Sequence, residues 1–466
     1  MFKFIDLFAG IGGFHSALTE LGGKCVLACE FDKDCQTVYR STYPNTKLIS
    51  NIREITRNNI EDDNSIKDPK KINKLVPDHD VLCAGFPCQP FSKSGKQKGI
   101  LDKARGTLFF DIMQIVKAKH PKYLLLENVR NLTGPKHTET WKLIIESLRE
   151  EGYIVSGIPT ILSPHLIPKQ LGGAPQVRDR VFIAATLNGK NEPLYIERES
   201  YKNNHNPDNW NIAEYLLSDD IISKSDPISN YRLTQEELTW LNAWDYLVTK
   251  LNSDILPGFP IWADALISKP IIDNNMPSWK KDFLKKNSAF YKDNKKFIDK
   301  WKKIIWKPSN KKIEEFPISR QKFEWQARKM FPTKKNRTIK SLVLQFRPSG
   351  IRVKPPSYLP ALVAITQTSI IGPNIRNGIK EFRKITPYEA AKLQGIDGNI
   401  FKKAGVPNSV AYKQLGNGVN TGVVKYVFTQ LCEDISYFKE SKFQLDEKKK
   451  LMNKFKKSQN LSFKFL

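Results

Sequence analysis

The first 190 or so residues predict an α/β fold in which a sheet of buried strands alternates with helices. Three observations carry this. Short apolar runs recur at the spacing of βαβ units, the runs stop at glycine-bearing turns, and the rhythm ceases after about residue 190. Phe4-Ile5-Asp6-Leu7-Phe8 reads as the first strand and turns through Ala9-Gly10-Ile11-Gly12-Gly13. A helix follows to Leu21, where Gly22-Gly23 stop it. Val26-Leu27-Ala28-Cys29 is the second strand, with Glu30 at its end. Asp80–Ala84 is another, followed by a helix over Gly106–Lys119. Tyr123-Leu124-Leu125-Leu126 delivers Glu127-Asn128, and Val181–Ala185 is a late strand behind Gln176-Val177-Arg178-Asp179-Arg180.

From about 191 to 375, Asn, Lys and scattered aromatics dominate, which predicts a separate, irregular domain. Order returns at Ile385-Thr386-Pro387-Tyr388-Glu389, where Thr386 and Glu389 have the spacing of a capping box and Gly395 is a natural stop. Residues 376–437 are expected to complete the first domain, and 438–466 form a lysine-rich tail.

Composition narrows the partners. The chain has 466 residues, with 75 Lys+Arg against 48 Asp+Glu, a net charge of +27. Such an excess points to a polyanion, most simply nucleic acid, although an A·T-biased genome also enriches Lys and Asn. The six cysteines form no Cys-x-x-Cys pair, so no structural zinc is expected. No signal-peptide pattern or membrane-length apolar run is present, which predicts an intracellular protein with reduced thiols.

Two places carry chemistry. Gly10-Ile11-Gly12-Gly13 begins a Gly-x-Gly-x-x-Gly pattern but has His15 in the final position. With Glu30 at the next strand end, where a carboxylate reaches ribose hydroxyls, it suggests an adenosine-bearing cofactor. A tight turn and a solvated carboxylate are the plainer alternatives. The second place is Gly85-Phe86-Pro87-Cys88-Gln89-Pro90-Phe91-Ser92, which puts one thiol, Cys88, where a buried strand leaves the sheet. Glu127 ends a neighbouring strand, and Arg178 and Arg180 alternate nearby. A thiol beside a carboxylic acid suits attack on an unsaturated ring whose nitrogen takes a proton. A buried ion pair between Glu127 and one arginine is the rival reading.

Phe4–Phe14, Gly85–Ser92, Glu127-Asn128-Val129, Gln176-x-Arg178-x-Arg180, Thr386–Gly395 and Gln414-Leu415-Gly416-Asn417-Gly418-Val419 occur in the order of the C5-cytosine DNA methyltransferases, which the chain resembles. Asp78–Gln89 with Ser94–Gly99 and Arg105–Leu108 is similar to the bacterial restriction–modification members. The resemblance covers roughly residues 1–190 and 380–435. It implies a Rossmann-like S-adenosylmethionine-dependent methyltransferase domain with a smaller target-recognition domain. It makes S-adenosyl-L-methionine the cofactor and carbon 5 of a cytosine flipped out of duplex DNA the target. Cys88 would add to ring carbon 6, Glu127 would serve ring nitrogen 3, Arg180 would hold the cytosine oxygen, and Arg178 would support the loop around Cys88. Phe8, Gly10, Ile11, Glu30, Phe31, Asn51, Ile52, Pro87, Leu108 and Asn417 would bind the cofactor. Asn51 stands where the family usually has Asp, and Gly418 where Ser is common.

Gln89, Ser92, Arg347 and Arg352 are the expected DNA contacts, the last two through guanine in the major groove or, as the plainer alternative, through phosphate alone. In Ser278–Pro308 the lysines suit phosphates, while Phe297, Trp301, Ile304 and Ile305 read as the buried face of a helix. A transfer-RNA cytosine methyltransferase is one alternative, but its Cys-Phe-Thr segment is absent and the insert here is large. A catalytically silent DNA-binding relative is the other. The resemblance also implies a stand-alone, monomeric modification enzyme in the cytoplasm of a bacterial or phage-infected cell, associated with the nucleoid. A cognate endonuclease would act on the same site, and no membrane is involved.

Overall fold

The computed structural model describes residues 1–87, 107–187, 195–196, 209–361 and 368–432. Cys88, Gln89, Ser92, the stretch Ser94–Gly99 and the lysine-rich segment 438–466 lie outside them. The chain divides into two units, Met1–Asn209 with Ala390–Leu466, and Trp210–Glu389.

In the first unit β1 (Phe2–Leu7) leads to α1 (Gly13–Glu20) and β2 (Gly23–Cys29) to α2 (Lys33–Thr42). β3 (Leu48–Ile49) precedes α3 (Arg53–Thr56) and α4 (Pro69–Leu75), β4 (Val81–Gly85) precedes α5 (Leu108–Lys119), and β5 (Tyr123–Val129) precedes α6 (Thr138–Glu150). β6 (Tyr153–Val155), β7 (Thr160–Leu162), β8 (Gln176–Val177) and β9 (Arg180–Leu187) follow. The sheet order is β3-β2-β1-β4-β5-β9-β6, with β7 also paired to β9. The first five strands are parallel, whereas β9 runs antiparallel to β5, β6 and β7.

The apolar runs are continuous because both faces of these strands are covered. Phe4, Ile5, Leu7, Leu82 and Leu124–Leu126 are fully buried and divide between two apolar clusters, one on each side of the sheet. The turns are where the composition placed them. Thr107 accepts the Phe110 N–H and caps α5.

The second unit departs from expectation. Read as irregular, it contains α7 (Asp219–Ser223), α8 (Gln235–Lys250), β10 (Ile261–Trp262), α9 (Ser278–Asp293), α10 (Lys295–Lys303), β11 (Lys322–Trp325), β12 (Val343–Arg347), β13 (Gly350–Lys354), β14 (Leu359–Pro360), β15 (Ile370–Ile371), β16 (Arg383–Lys384) and the start of α11 (Pro387–Lys392). Six of these strands form one sheet, in the order β10-β11-β13-β12-β15-β16. Its strands are two to five residues long and, apart from the β12–β13 hairpin, pair across long sequence gaps, so little local rhythm announces them. Phe323, Trp325, Leu344, Ile351 and Val353 fill one face of it together with Trp244 and Trp301.

The helix at 295–303 buries Ile298 and Trp301, with Phe297 and Ile304 half-buried against the same core. Ile305, expected on that face, is 57% exposed because the helix has ended before it and the chain has turned. The capping box at Thr386 and Glu389 forms in both directions. Beyond it α12 (Asn399–Ala404), α13 (Asn408–Asn417) and α14 (Thr421–Leu431) return to the first unit, where α14 packs on α1.

Candidate active site

A cavity of about 800 Å³ opens at the carboxyl ends of the parallel strands, bordered by residues of the first unit. This is where a doubly wound sheet offers backbone groups to a ligand. After β1 the chain takes left-handed backbone at Phe8 (φ 58°), Gly10 (φ 55°) and Gly12 (φ 84°). Glycine meets that demand at two of the positions. At the third a phenylalanine is held in strained backbone, its ring in the cavity wall.

Glu30 follows β2 and accepts the Gly10 N–H through Oε2 and the Asp32 N–H through Oε1, both at 2.7 Å. Burial still pushes its pKa above the ordinary carboxylate range, against the pull of those amides. Each oxygen retains a lone pair toward the cavity. Phe31 beside it is 75% exposed, an apolar ring at the cavity rim. Asn51 Oδ1 accepts the Arg53 N–H at 3.0 Å, and Asn51, Ile52, Pro87, Leu108 and Asn417 all border the cavity. Ile11 does not: it is 3% exposed, and the turn meets the cavity at Gly10 and Gly13 instead.

The reactive end is set by sheet register. β4 and β5 pair with Gly85 opposite Glu127, and β9, entering antiparallel, places Arg180 opposite Val129. The start of β9 therefore meets the ends of β4 and β5. Arg180 Nε lies 2.8 Å from Glu127 Oε1, so the ion pair raised as a rival is present, and both residues border the cavity. Burial raises the Glu127 pKa; the Arg180 and Arg178 guanidiniums oppose it and do not cancel it. Such a carboxyl holds a proton more readily than an exposed one and can give it up to a ring nitrogen.

Arg178 is fully buried and donates through Nη2 to the carbonyls of Gly416, at 2.9 Å, and Gly418. The Gly416–Gly418 segment is thus a partner of its guanidinium, and the loop around Cys88 that it was expected to support lies outside the described residues. Its Nε and Nη1 have no partner among the described residues, and burial brings its pKa down to about 9. Asn128 Nδ2 donates to the Phe86 carbonyl at 2.8 Å and pins the exit of β4. Phe14, Asn128 and Gln414 were not anticipated in the cavity wall. All three sit in the family motifs, which was the only signal for them.

In the second unit Glu324, Arg352 and Gln345 form one row across β11, β13 and β12. They lie on the face opposite the core. Arg352 Nε is 2.8 Å from Glu324 Oε2, which leaves its paired Nη groups free of that carboxylate. Arg347 Nη1 is buried without a partner among the described residues. No described helix is long and apolar enough to cross a membrane, and no described cluster of three or more His, Cys, Asp or Glu could hold a metal ion.

A family model for the C-5 cytosine-specific DNA methylases matches residues 2–433. The Type II methyltransferase M.AluI of Cellulosimicrobium cellulans is 36% identical over 512 aligned residues, covering 92% of this chain and 91% of that protein. M.BanI of Aneurinibacillus aneurinilyticus is 30% identical and covers 93% and 96%. M.HhaI of Haemophilus parahaemolyticus is 39% identical, but over 41% of this chain and 50% of its own length.

Proposed function

This chain belongs to the C-5 cytosine-specific DNA methylase family, and from that premise we propose how its cavity carries the reaction. The enzyme transfers a methyl group to carbon 5 of cytosine in DNA. The observation that carries the residue assignments is the buried Glu127–Arg180 pair at the cavity wall, beside the strand that leads to Cys88.

S-adenosyl-L-methionine fits the other half of the cavity: Glu30 has lone pairs for ribose hydroxyls, Phe31 offers an exposed ring for adenine, and Asn51 Oδ1 has a lone pair for the adenine amine. When bound, the cofactor supplies an electrophilic methyl group. Phe8, Gly10, Ile52, Pro87, Leu108 and Asn417 enclose it.

Flipping the target cytosine out of the stack costs roughly a few kcal/mol. The Cys88 thiolate then adds to carbon 6 while Glu127 gives a proton to nitrogen 3, which turns carbon 5 into an enamine carbon able to accept the methyl. Arg180 holds the cytosine oxygen and keeps the Glu127 carboxyl aimed. A solvent base takes the carbon 5 proton, and the returning electron pair restores the double bond and expels Cys88. The nitrogen 3 proton goes back to Glu127. Arg178 fixes the Gly416–Gly418 wall against which the base rests.

Gln89 and Ser92 contact the DNA beside the flipped base, and Arg352 and Arg347 contact it from the second unit. Held by Glu324 through Nε, Arg352 can offer two Nη groups to guanine O6 and N7. The Type II relatives support a modification enzyme paired with an endonuclease, and our reading makes it a cytoplasmic monomer.

The test is transfer of labelled methyl from S-adenosylmethionine to duplex DNA. Cys88→Ser should abolish it while leaving cofactor binding intact. Turnover by that variant would rule out the covalent route.

A further inference from the structure

Beneath the Gly10–Gly13 turn lies a buried cluster that touches neither DNA nor the reacting base. His15 occupies the position where the dinucleotide-binding pattern has its last glycine, and it is buried. Its ring stacks on Tyr43, with centroids 3.6 Å apart and planes 12° from parallel. Its Nδ1 shares a 2.6 Å hydrogen bond with the Tyr39 hydroxyl. Tyr39 comes from α2 and Tyr43 from the residue just past it, so the second helix reaches under the first.

The Tyr43 hydroxyl donates to the Gly12 carbonyl at 3.3 Å, and a Cβ on Gly12 would collide with the Tyr43 ring. At the other end of the turn the Gly10 N–H is held by Glu30, and the His15 N–H by Asp6 at 3.2 Å. The turn is therefore gripped at both ends by side chains from other segments. Burial pushes the His15 pKa down to about 4, so the stacked ring is neutral and needs no counter-ion. Gly10 and Gly13 border the cavity on the opposite side.

We propose that His15, Tyr39 and Tyr43 are positioning residues for the methyl donor, holding the Gly12 peptide and with it the Gly10–Gly13 wall in its binding geometry before the ligand arrives. The inference rests on reading the cavity as the S-adenosylmethionine site. An ordinary third glycine would let helix and strand pack closely. Here an imidazole fills that space and ties the turn to α2, so the left-handed glycines are fixed by side chains as well as by the backbone. The device acts on cofactor affinity and leaves the chemistry at Cys88 alone.

Tyr43→Phe removes the hydroxyl and keeps the stack, whereas His15→Ala removes the stack. Binding of S-adenosylhomocysteine, which transfers no methyl, is measured by calorimetry on the full chain. Tyr43→Phe should weaken it by about three- to tenfold, the worth of one hydrogen bond. His15→Ala should weaken it further. For Tyr43→Phe the affinity for duplex DNA and kcat at saturating cofactor should stay at wild-type values, with the loss confined to the cofactor KM. Wild-type affinity in Tyr43→Phe overturns the proposal, as does a parallel loss of DNA affinity and thermal midpoint, which would mark the cluster as plain core. Should His15→Ala fail to fold, Tyr43→Phe still decides. Failure of the wild-type chain to bind S-adenosylhomocysteine overturns the cofactor reading and this proposal with it, whereas equal affinities overturn this proposal alone.

Discussion

Each unit buries a glutamate against an arginine, and the two pairs are built differently. In the second unit Glu389 accepts Arg383 Nη1 and Nη2 at 2.9 and 2.8 Å, the Thr386 N–H at 2.8 Å and the Leu217 N–H at 2.7 Å. Arg383 also meets Asp219 at 3.2 Å. In the first unit Glu127 has one described partner, Arg180 Nε at 2.8 Å, and borders a cavity. A carboxylate with four donors is a clasp: it joins a capping box to a strand and has nothing left to give. A carboxylate with one donor among the described residues, bordering a cavity, retains lone pairs, and burial makes it hold a proton more readily. Burial alone therefore does not mark a working acid; unmet hydrogen-bonding capacity does.

Substitution separates the two pairs most sharply at Glu127. Glu127→Gln should lower methyl transfer by about 10²–10⁴-fold, the usual worth of a positioned proton donor, with binding of cofactor retained. Retention of rate would remove Glu127 from the chemistry. The same variant carries a pH signature. Because the folded pKa of Glu127 lies above its unfolded value of 4.5, the stability it contributes is full below that value and is lost as pH rises through the folded pKa. Denaturant titrations at rising pH should show Glu127→Gln gaining on wild type, and a gap that stays constant would contradict the raised pKa.

Glu389→Ala should instead cost about 3–5 kcal/mol of unfolding free energy by leaving Arg383 under-paired, while the protein that remains folded transfers methyl at the wild-type rate. A stable but slow variant would erase the contrast between the pairs. The smallest effect belongs to Arg352→Lys, where losing a bidentate fork should relax discrimination at one base by about 1–3 kcal/mol. Sequencing of methylated sites reads this directly, and an unchanged site profile would remove Arg352 from base recognition.

The first unit was legible because buried parallel strands write themselves as unbroken apolar runs, as in Val81–Ala84 and Leu124–Leu126. Their carboxyl ends then name the crevice, which is how Glu30 and Glu127 could be placed. Arg180 was legible as one of two candidate partners of Glu127, but which arginine pairs depends on β9 entering antiparallel, a fact of pairing and not of local pattern. Ile11 was misplaced because a motif gives proximity and not which of its residues meet the cavity. The sheet of the second unit escaped because strands such as Ile261–Trp262 and Ile370–Ile371 hold two residues each and find partners far along the chain. Glu324, which holds Arg352 from 28 positions away, had no local signal.

Phe8 has a consequence for anyone adapting this enzyme. A non-glycine residue at φ 58° costs about 1–2 kcal/mol against the preferred backbone, and the packing of the ring against the core on one side of the sheet holds it there. Gly or Asn would relieve the backbone and strip an aromatic ring from both that core and the cavity wall. One ring serves durability and the cavity together, so a library at residue 8 has to be scored on heat resistance and on methyl transfer at once.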